Sequence, residues 1–121
     1  MNIYIGNDIL KISRIKEKDI LSKTFLSSAF SEAELNYVKE KEKTKYESLA
    51  GMFSAKESLI KVFSKIYEGT LGIRDFEILH NGKIPYVNIL NEDLKKYKNS
   101  IDISISHNKD YTSTTAILLI K

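Results

Sequence analysis

The sequence contains no cysteine, which excludes a disulfide framework, a thiolate nucleophile and a zinc–thiolate centre, leaves the fold to be held by its core, and fits a reducing cytoplasm. It has no long apolar run. The N-terminal stretch MNIYIGNDILKISRIK is broken by Asn7, Asp8 and Lys11, too short and too polar for a secretory leader, and nothing later approaches a membrane span. One proline and five glycines form no Pro/Gly/Ser linker, and with no internal repeat or low-complexity segment the chain reads as one domain over residues 1–121. It also lacks a large excess of either charge. Nineteen Lys and Arg against sixteen Asp and Glu leave +3, which is not the dense positive field of a dedicated nucleic-acid binder and favours an acidic partner only weakly.

What is present is a compact pattern of periods. At 121 residues a single domain buries about two thirds of its unfolded surface, which is small for an enzyme working alone, so a partner subunit would help. Residues 2–7 read as a strand running into Asp8, and 9–27 as helix, with Ile12, Ile15, Ile20, Leu21 and Phe25 apolar. Ser31 followed by Glu34 resembles a capping box opening a helix to about Lys41. The longest helical stretch is Tyr46 to about Ile66. After Gly69 and Gly72 the period changes to two strands around the turn signal Asn81-Gly82. A brief polar helix over Glu92–Lys98 is followed by IDISIS, which alternates, and TSTTAILLI, which is β-branched. One strand, helices, then four strands is the order of an α+β fold with helices packed on an antiparallel sheet.

The segment SAKESLIKVF, residues 54–63, sets Lys56 and Glu57 side by side in an otherwise apolar helix. At 100° per residue the apolar positions from Leu49 to Ile66 cover an arc wider than a surface helix needs, so the helix is central, and Lys56 falls inside that arc. Glu57 stands at the edge of a polar sector holding Glu47, Ser54, Ser58, Lys61 and Lys65. Glu57 and Lys61 have the spacing of a surface ion pair. A carboxylate on a dry rim, however, demands a cation or donor, and a metal ion is one such cation. Asp8, where strand gives way to helix, has either the ordinary role of an N-cap or that of a second carboxylate. His107, after Ser104 and Ser106 at the end of IDISIS, is either a structural hydrogen-bonder or a site residue.

Taken together, GNDILKISR, LAGMFSAKESLIKVF and ISISHNKDY resemble, in order and spacing, the holo-acyl-carrier-protein synthases, the small type of 4′-phosphopantetheinyl transferase. The family's first motif, Gly-x-Asp-Ile-Val-Glu-Ile-x-Arg, is matched at Gly6, Asp8, Ile9, Ile12 and Arg14. Its second, Leu-Ala-Gly-Arg-Phe-Ala-Ala-Lys-Glu-Ala-x-x-Lys, is matched at Leu49, Ala50, Gly51, Phe53, Ala55, Lys56, Glu57 and Lys61. The third, Ser-x-Ser-His followed by a turn and an aromatic, is matched at Ser104, Ser106, His107 and Tyr111.

The resemblance implies transfer of phosphopantetheine from coenzyme A to a serine of an acyl carrier protein. It implies Asp8 and Glu57 as ligands of Mg²⁺, with Lys61 beside them opposing the charge on the leaving group. It also implies coenzyme A contacts from Lys61, His107 and Lys56, and a homotrimer with the site between subunits, which would help bury Lys56. Arg14, Lys16, Lys18 and Lys23, with Ile15, Leu21 and Phe25, are the implied docking face for the acidic carrier; a merely solvated basic face is the other reading. The pattern departs at Met52, where the family has Arg for a phosphate, at Lys11, where it has Glu, and at Ser64-Lys65-Ile66, which replaces Gly-Thr-Gly and suggests a longer helix; Arg74 or Lys65 are the basic groups at hand to substitute. A non-catalytic module binding acidic carriers would need neither Asp8 nor Glu57. A small RNA-binding domain would need its tyrosines grouped on one strand face, and the seven tyrosines are scattered.

Overall fold

Alternation at period two governs the first element. In the computed structural model, which describes residues 1–121, strand β1 (Asn2–Lys11) turns Ile3, Ile5, Asn7 and Ile9 outward and Tyr4, Gly6, Asp8 and Leu10 inward. The strand runs on past residue 7 because β5 (Tyr111–Ile120), long and β-branched, pairs with all of it antiparallel, Asn2 opposite Ile120 and Lys11 opposite Tyr111. Ladder hydrogen bonds override the local helical pattern of residues 9–11, so Asp8 lies within a strand and is not an N-cap. The residue at that position of α1 (Ile12–Leu21) is Lys11, which makes no side-chain cap. The helical reading of 9–27 divides again after Leu21, where the Ser22 hydroxyl accepts from the Thr24 amide at 3.4 Å and offers the backbone an alternative to the helix. A second short helix, α2, spans Phe25–Ala29.

The capping box is present: Ser31 accepts from the Glu34 amide and Glu34 from the Ser31 amide, opening α3 (Glu32–Val38), which ends before Lys41. Helix α4 (Lys45–Phe63) is the central element. It does not run longer over Ser64-Lys65-Ile66. The chain tightens instead, with the Lys65 amide on the Val62 carbonyl and the Ile66 amide on that of Phe63, a three-residue closure that satisfies end carbonyls of the helix.

Strands β2 (Phe76–Asn81) and β3 (Ile84–Ile89) form the expected hairpin, with Asn81 opposite Ile84. The turn pair is therefore Gly82-Lys83, one residue later than the Asn-Gly signal. Gly82 alone has positive φ, 63°, which fits the mirror-type turn that wants glycine at its first central position. A 3₁₀ segment, Glu92–Tyr97, leads to β4 (Ile101–His107). The antiparallel strands form two sheets, β1-β5-β4 and β2-β3. Helix α4 lies across the larger sheet, touching β1 and β5, with α1, α3 and β2 on its other flanks. Leu49, Ala55, Leu59, Val62 and Phe63 of α4 are buried there with Leu118 of β5. No helix is long and apolar enough to cross a membrane.

Candidate active site

Neighbouring residues on a helix point about 100° apart, and Lys56 and Glu57 follow different surfaces as a result. Lys56 turns inward. Its Nζ donates to Glu34 Oε1 at 2.6 Å and to the Ala29 carbonyl at 3.0 Å, over the face of Phe30. Both charged side chains are inaccessible, at 1% and 0%. Glu34 is satisfied further by the Ile78 amide at 2.8 Å and by the capping box. Burial lowers the Lys56 pKa and its partner Glu34 opposes that. Lys56 is thus sealed by its own chain rather than by a neighbouring subunit, and it is not brought to the other predicted site residues.

Glu57 turns outward toward β1, where the strand alternation aims Asp8 at α4. Burial raises the Glu57 pKa, the charge of Asp8 raises it further, and Lys61 and Lys18 partly oppose. The expected Glu57–Lys61 ion pair is not formed. Lys61 donates instead to the Asn7 carbonyl at 2.8 Å and to Asp8 Oδ1 at 3.3 Å, and Asp8 Oδ2 accepts from the Ser54 hydroxyl at 2.8 Å. Gly6 makes this approach possible, since a Cβ there would collide with the Ser58 carbonyl and lie 2.9 Å from Val62 Cγ2.

A carboxylate whose pKa is raised by burial and by the charge of a second carboxylate beside it makes a place for a cation. No group of three or more His, Asp or Glu side chains converges anywhere in the molecule. Asp8 and Glu57 suit Mg²⁺ nonetheless, because that ion keeps several waters and takes one or two protein carboxylates together with substrate phosphates.

His107 ends β4 and is half exposed, with Nδ1 3.9 Å from Glu47 Oε2. It lines a cleft of about 370 Å³ with Lys41, Glu47, Met52, His80 and Lys83. No hydrogen bond or ion pair joins this cleft to Asp8, Glu57 or Lys61. Met52 contributes an apolar wall at 1% exposure. Neither proposed basic substitute reaches the cleft: Arg74 donates to the Ser27 and Ser28 carbonyls, and Lys65 to that of Ile5. Lys41 and Lys83 do line it, and sequence reasoning missed both. Lys83 could have been found from its place in the hairpin turn; Lys41 follows α3 and had no motif to mark it.

On α1, Arg14 and Lys18 are exposed. Lys18 stands 5.7 Å over the ring of Phe25 and is near enough to Glu57 to act on its charge, so the basic helix and the carboxylate pair share one side of the molecule. Phe25 is half buried, packed edge-on against Phe30 at 6.2 Å and beside Phe53.

With helices on antiparallel sheets and two carboxylates carried on facing elements, the chain belongs to the 4′-phosphopantetheinyl transferase superfamily, whose model matches residues 4–116. It is 40% identical over 132 residues to a holo-(acyl-carrier-protein) synthase of Fusobacterium nucleatum, covering 98% of this chain and 100% of that one. It is 35% identical over 121 residues to the enzyme of the same name from Finegoldia magna, covering 100% and 99%. The crystal structure of Helicobacter pylori holo-(acyl-carrier-protein) synthase in complex with coenzyme A superposes with a TM-score of 0.77 at 27% identity, covering 95% of this chain and 99% of that chain.

Proposed function

We propose that the protein is a holo-(acyl-carrier-protein) synthase, one transferase domain acting in the cytoplasm. It moves 4′-phosphopantetheine from coenzyme A to a serine hydroxyl of an apo carrier protein and releases adenosine 3′,5′-bisphosphate. The observation that carries this reading is the convergence of Asp8 on β1 and Glu57 on α4, with the Lys61 ammonium against Asp8. In the transfer the serine oxygen forms a bond to the phosphorus bearing pantetheine, the bridging P–O bond to the nucleotide breaks, and the serine proton leaves. Negative charge grows on the bridging and equatorial oxygens, so catalysis rests on positioning and on cations. Asp8 and Glu57 would hold Mg²⁺, and the ion would supply charge neutralisation at the pyrophosphate.

Lys61 is half exposed and free to move its ammonium from Asp8 to an arriving phosphate. His107, Lys41 and Lys83 offer the nucleotide phosphates a basic cleft in which Met52 gives only apolar contact. Arg14 and Lys18 meet the acidic carrier beside Glu57 and bring its serine to the reacting phosphorus.

A homotrimer completes this reading. The outer face of the larger sheet leaves Ile3, Ile5 and Ile9 at 57%, 53% and 70% exposure, with Ile117 at 39% beside them, an apolar row that a second copy would cover. Within one chain the His107 cleft and the Asp8–Glu57 pair are separate, and a neighbour's cleft set against this chain's carboxylates would make one coenzyme A site. Sedimentation at micromolar concentration is expected to give a trimer; an active monomer would remove the shared site. The activity is tested by intact mass spectrometry of an apo carrier incubated with this protein, coenzyme A and Mg²⁺. A phosphopantetheine mass gain is expected, and its absence, with the carrier bound, would instead mark a non-catalytic carrier-binding module.

A further inference from the structure

Behind Asp8 lies a row of three hydroxyls shut away from solvent. Ser54 and Ser58 on α4 are 0% exposed and Thr114 on β5 is 1% exposed. Ser54 Oγ stands 2.8 Å from Asp8 Oδ2 and 2.9 Å from Thr114 Oγ1; Thr114 Oγ1 stands 2.6 Å from Ser58 Oγ. Donor accounting fixes the direction of every proton. A carboxylate only accepts, and a hydroxyl has one proton to give. Ser54 therefore gives its proton to Asp8 and accepts from Thr114. Thr114, having given its proton to Ser54, accepts from Ser58, because two oxygens 2.6 Å apart with no proton between them would repel. The Ser58 proton is shared with the Thr114 carbonyl at 3.2 Å.

Buried hydroxyls cost stability unless hydrogen-bonded, and alanine or valine would fill this space dry. The row ends on the one carboxylate that β1 turns toward α4, in register opposite Thr114. We infer that Ser54, Thr114 and Ser58 form a one-way hydrogen-bonded relay that fixes the orientation of Asp8, binding Oδ2 to the core so that Oδ1 faces the cation position now met by Lys61. Ser54 is a positioning residue for the divalent ion, with Thr114 setting the direction of its hydroxyl and Ser58 that of Thr114. This rests on the reading of Asp8 as a metal ligand.

Mn²⁺ alone serves as the probe, titrated into the full-length protein and followed by the electron paramagnetic resonance of the free ion, with thermal unfolding of each variant measured beside it. Ser54→Ala is expected to weaken Mn²⁺ binding by about tenfold, since a hydrogen bond to a charged group is lost. Thr114→Val is expected to weaken it by about threefold, with Thr114→Ser recovering most of that loss. In turnover, Ser54→Ala is expected to raise the Mg²⁺ concentration for half activation while leaving the KM for carrier in place, a split that a loss of folding alone would not produce. Asp8→Ala is expected to abolish Mn²⁺ binding. Loss in Asp8→Ala with wild-type binding in both Ser54→Ala and Thr114→Val would overturn the relay alone; unchanged binding in Asp8→Ala would overturn the metal reading and the relay with it.

Discussion

Lys56 and Glu57 are adjacent in sequence and opposite in use. Lys56 is completely enclosed, paired with Glu34 and surrounded by donors and acceptors already satisfied. Glu57 is partly exposed, has no hydrogen-bonded partner among its own chain's side chains, and is set against a like charge. The enclosed pair holds α2, α3, β2 and α4 in place. The open pair leaves an electrostatic conflict at the surface, of the kind a ligand can relieve. One helical residue of rotation separates the group that holds the fold from the group proposed to meet substrate.

The largest expected effect lies on the enclosed side. Lys56→Ala strands the Glu34 carboxylate in the core and is expected to cost about 3–5 kcal/mol, measured by denaturant unfolding; Lys56→Met, which fills the space but brings no charge, is expected to be much less destabilising when made together with Glu34→Gln. A Lys56→Ala protein of wild-type stability would erase the contrast.

On the open side, Arg14→Glu is expected to raise the KM for carrier by about tenfold, equivalent to ~1.4 kcal/mol, with the KM for coenzyme A nearly unchanged. Added salt should reproduce the effect at low carrier concentration. A rise confined to coenzyme A would move Arg14 out of the docking face.

The smallest effect concerns His80, which stacks on Tyr37 at 3.8 Å and has its Nδ1 buried without a partner. Burial first, and Lys41 second, hold its pKa below the ordinary 6.5. The folded state therefore binds fewer protons there than the unfolded chain, and stability present above pH 6.5 is lost as pH falls through that window. Thermal unfolding between pH 7.5 and 5 should show the loss, and His80→Phe, which keeps a ring against Tyr37, should flatten it. An equally steep slope in the variant would assign the loss to other groups.

Patterns of period and punctuation carried much of this architecture. The capping box at Ser31 and Glu34, the hairpin, and the central helix with Lys56 on its apolar arc were all legible, because each is decided by neighbours within a turn or two. The extent of β1 was not, since Ile9–Lys11 take strand form only through pairing with Ser113–Tyr111, a hundred residues away in chain order. The site divides the same way. Motif and helix geometry singled out Asp8, Glu57 and Lys61 as candidates, but Lys61 pairing with Asp8 depends on how β1 crosses α4. Ser54 and Ser58 read only as members of a polar sector, and the contact with Thr114 turns them into a buried row. Lys41 and Lys83 enter the His107 cleft because the hairpin folds back beside α3 and α4, which no local pattern encodes.

The central claim is that the outward residue of the Lys56-Glu57 pair serves chemistry and not the fold, and Glu57→Gln tests it most directly when phosphopantetheine transfer and thermal unfolding are measured on the same preparation. The raised pKa means the ionised carboxylate is disfavoured in the folded state, so replacing it with a neutral isostere should leave the Tm at pH 7.5 at or above that of the wild type. Turnover at saturating coenzyme A and Mg²⁺ should fall by about a hundredfold or more, a loss of ~2.7 kcal/mol in transition-state stabilisation. Turnover close to that of the wild type, or a large fall in Tm accompanying the lost activity, would contradict it.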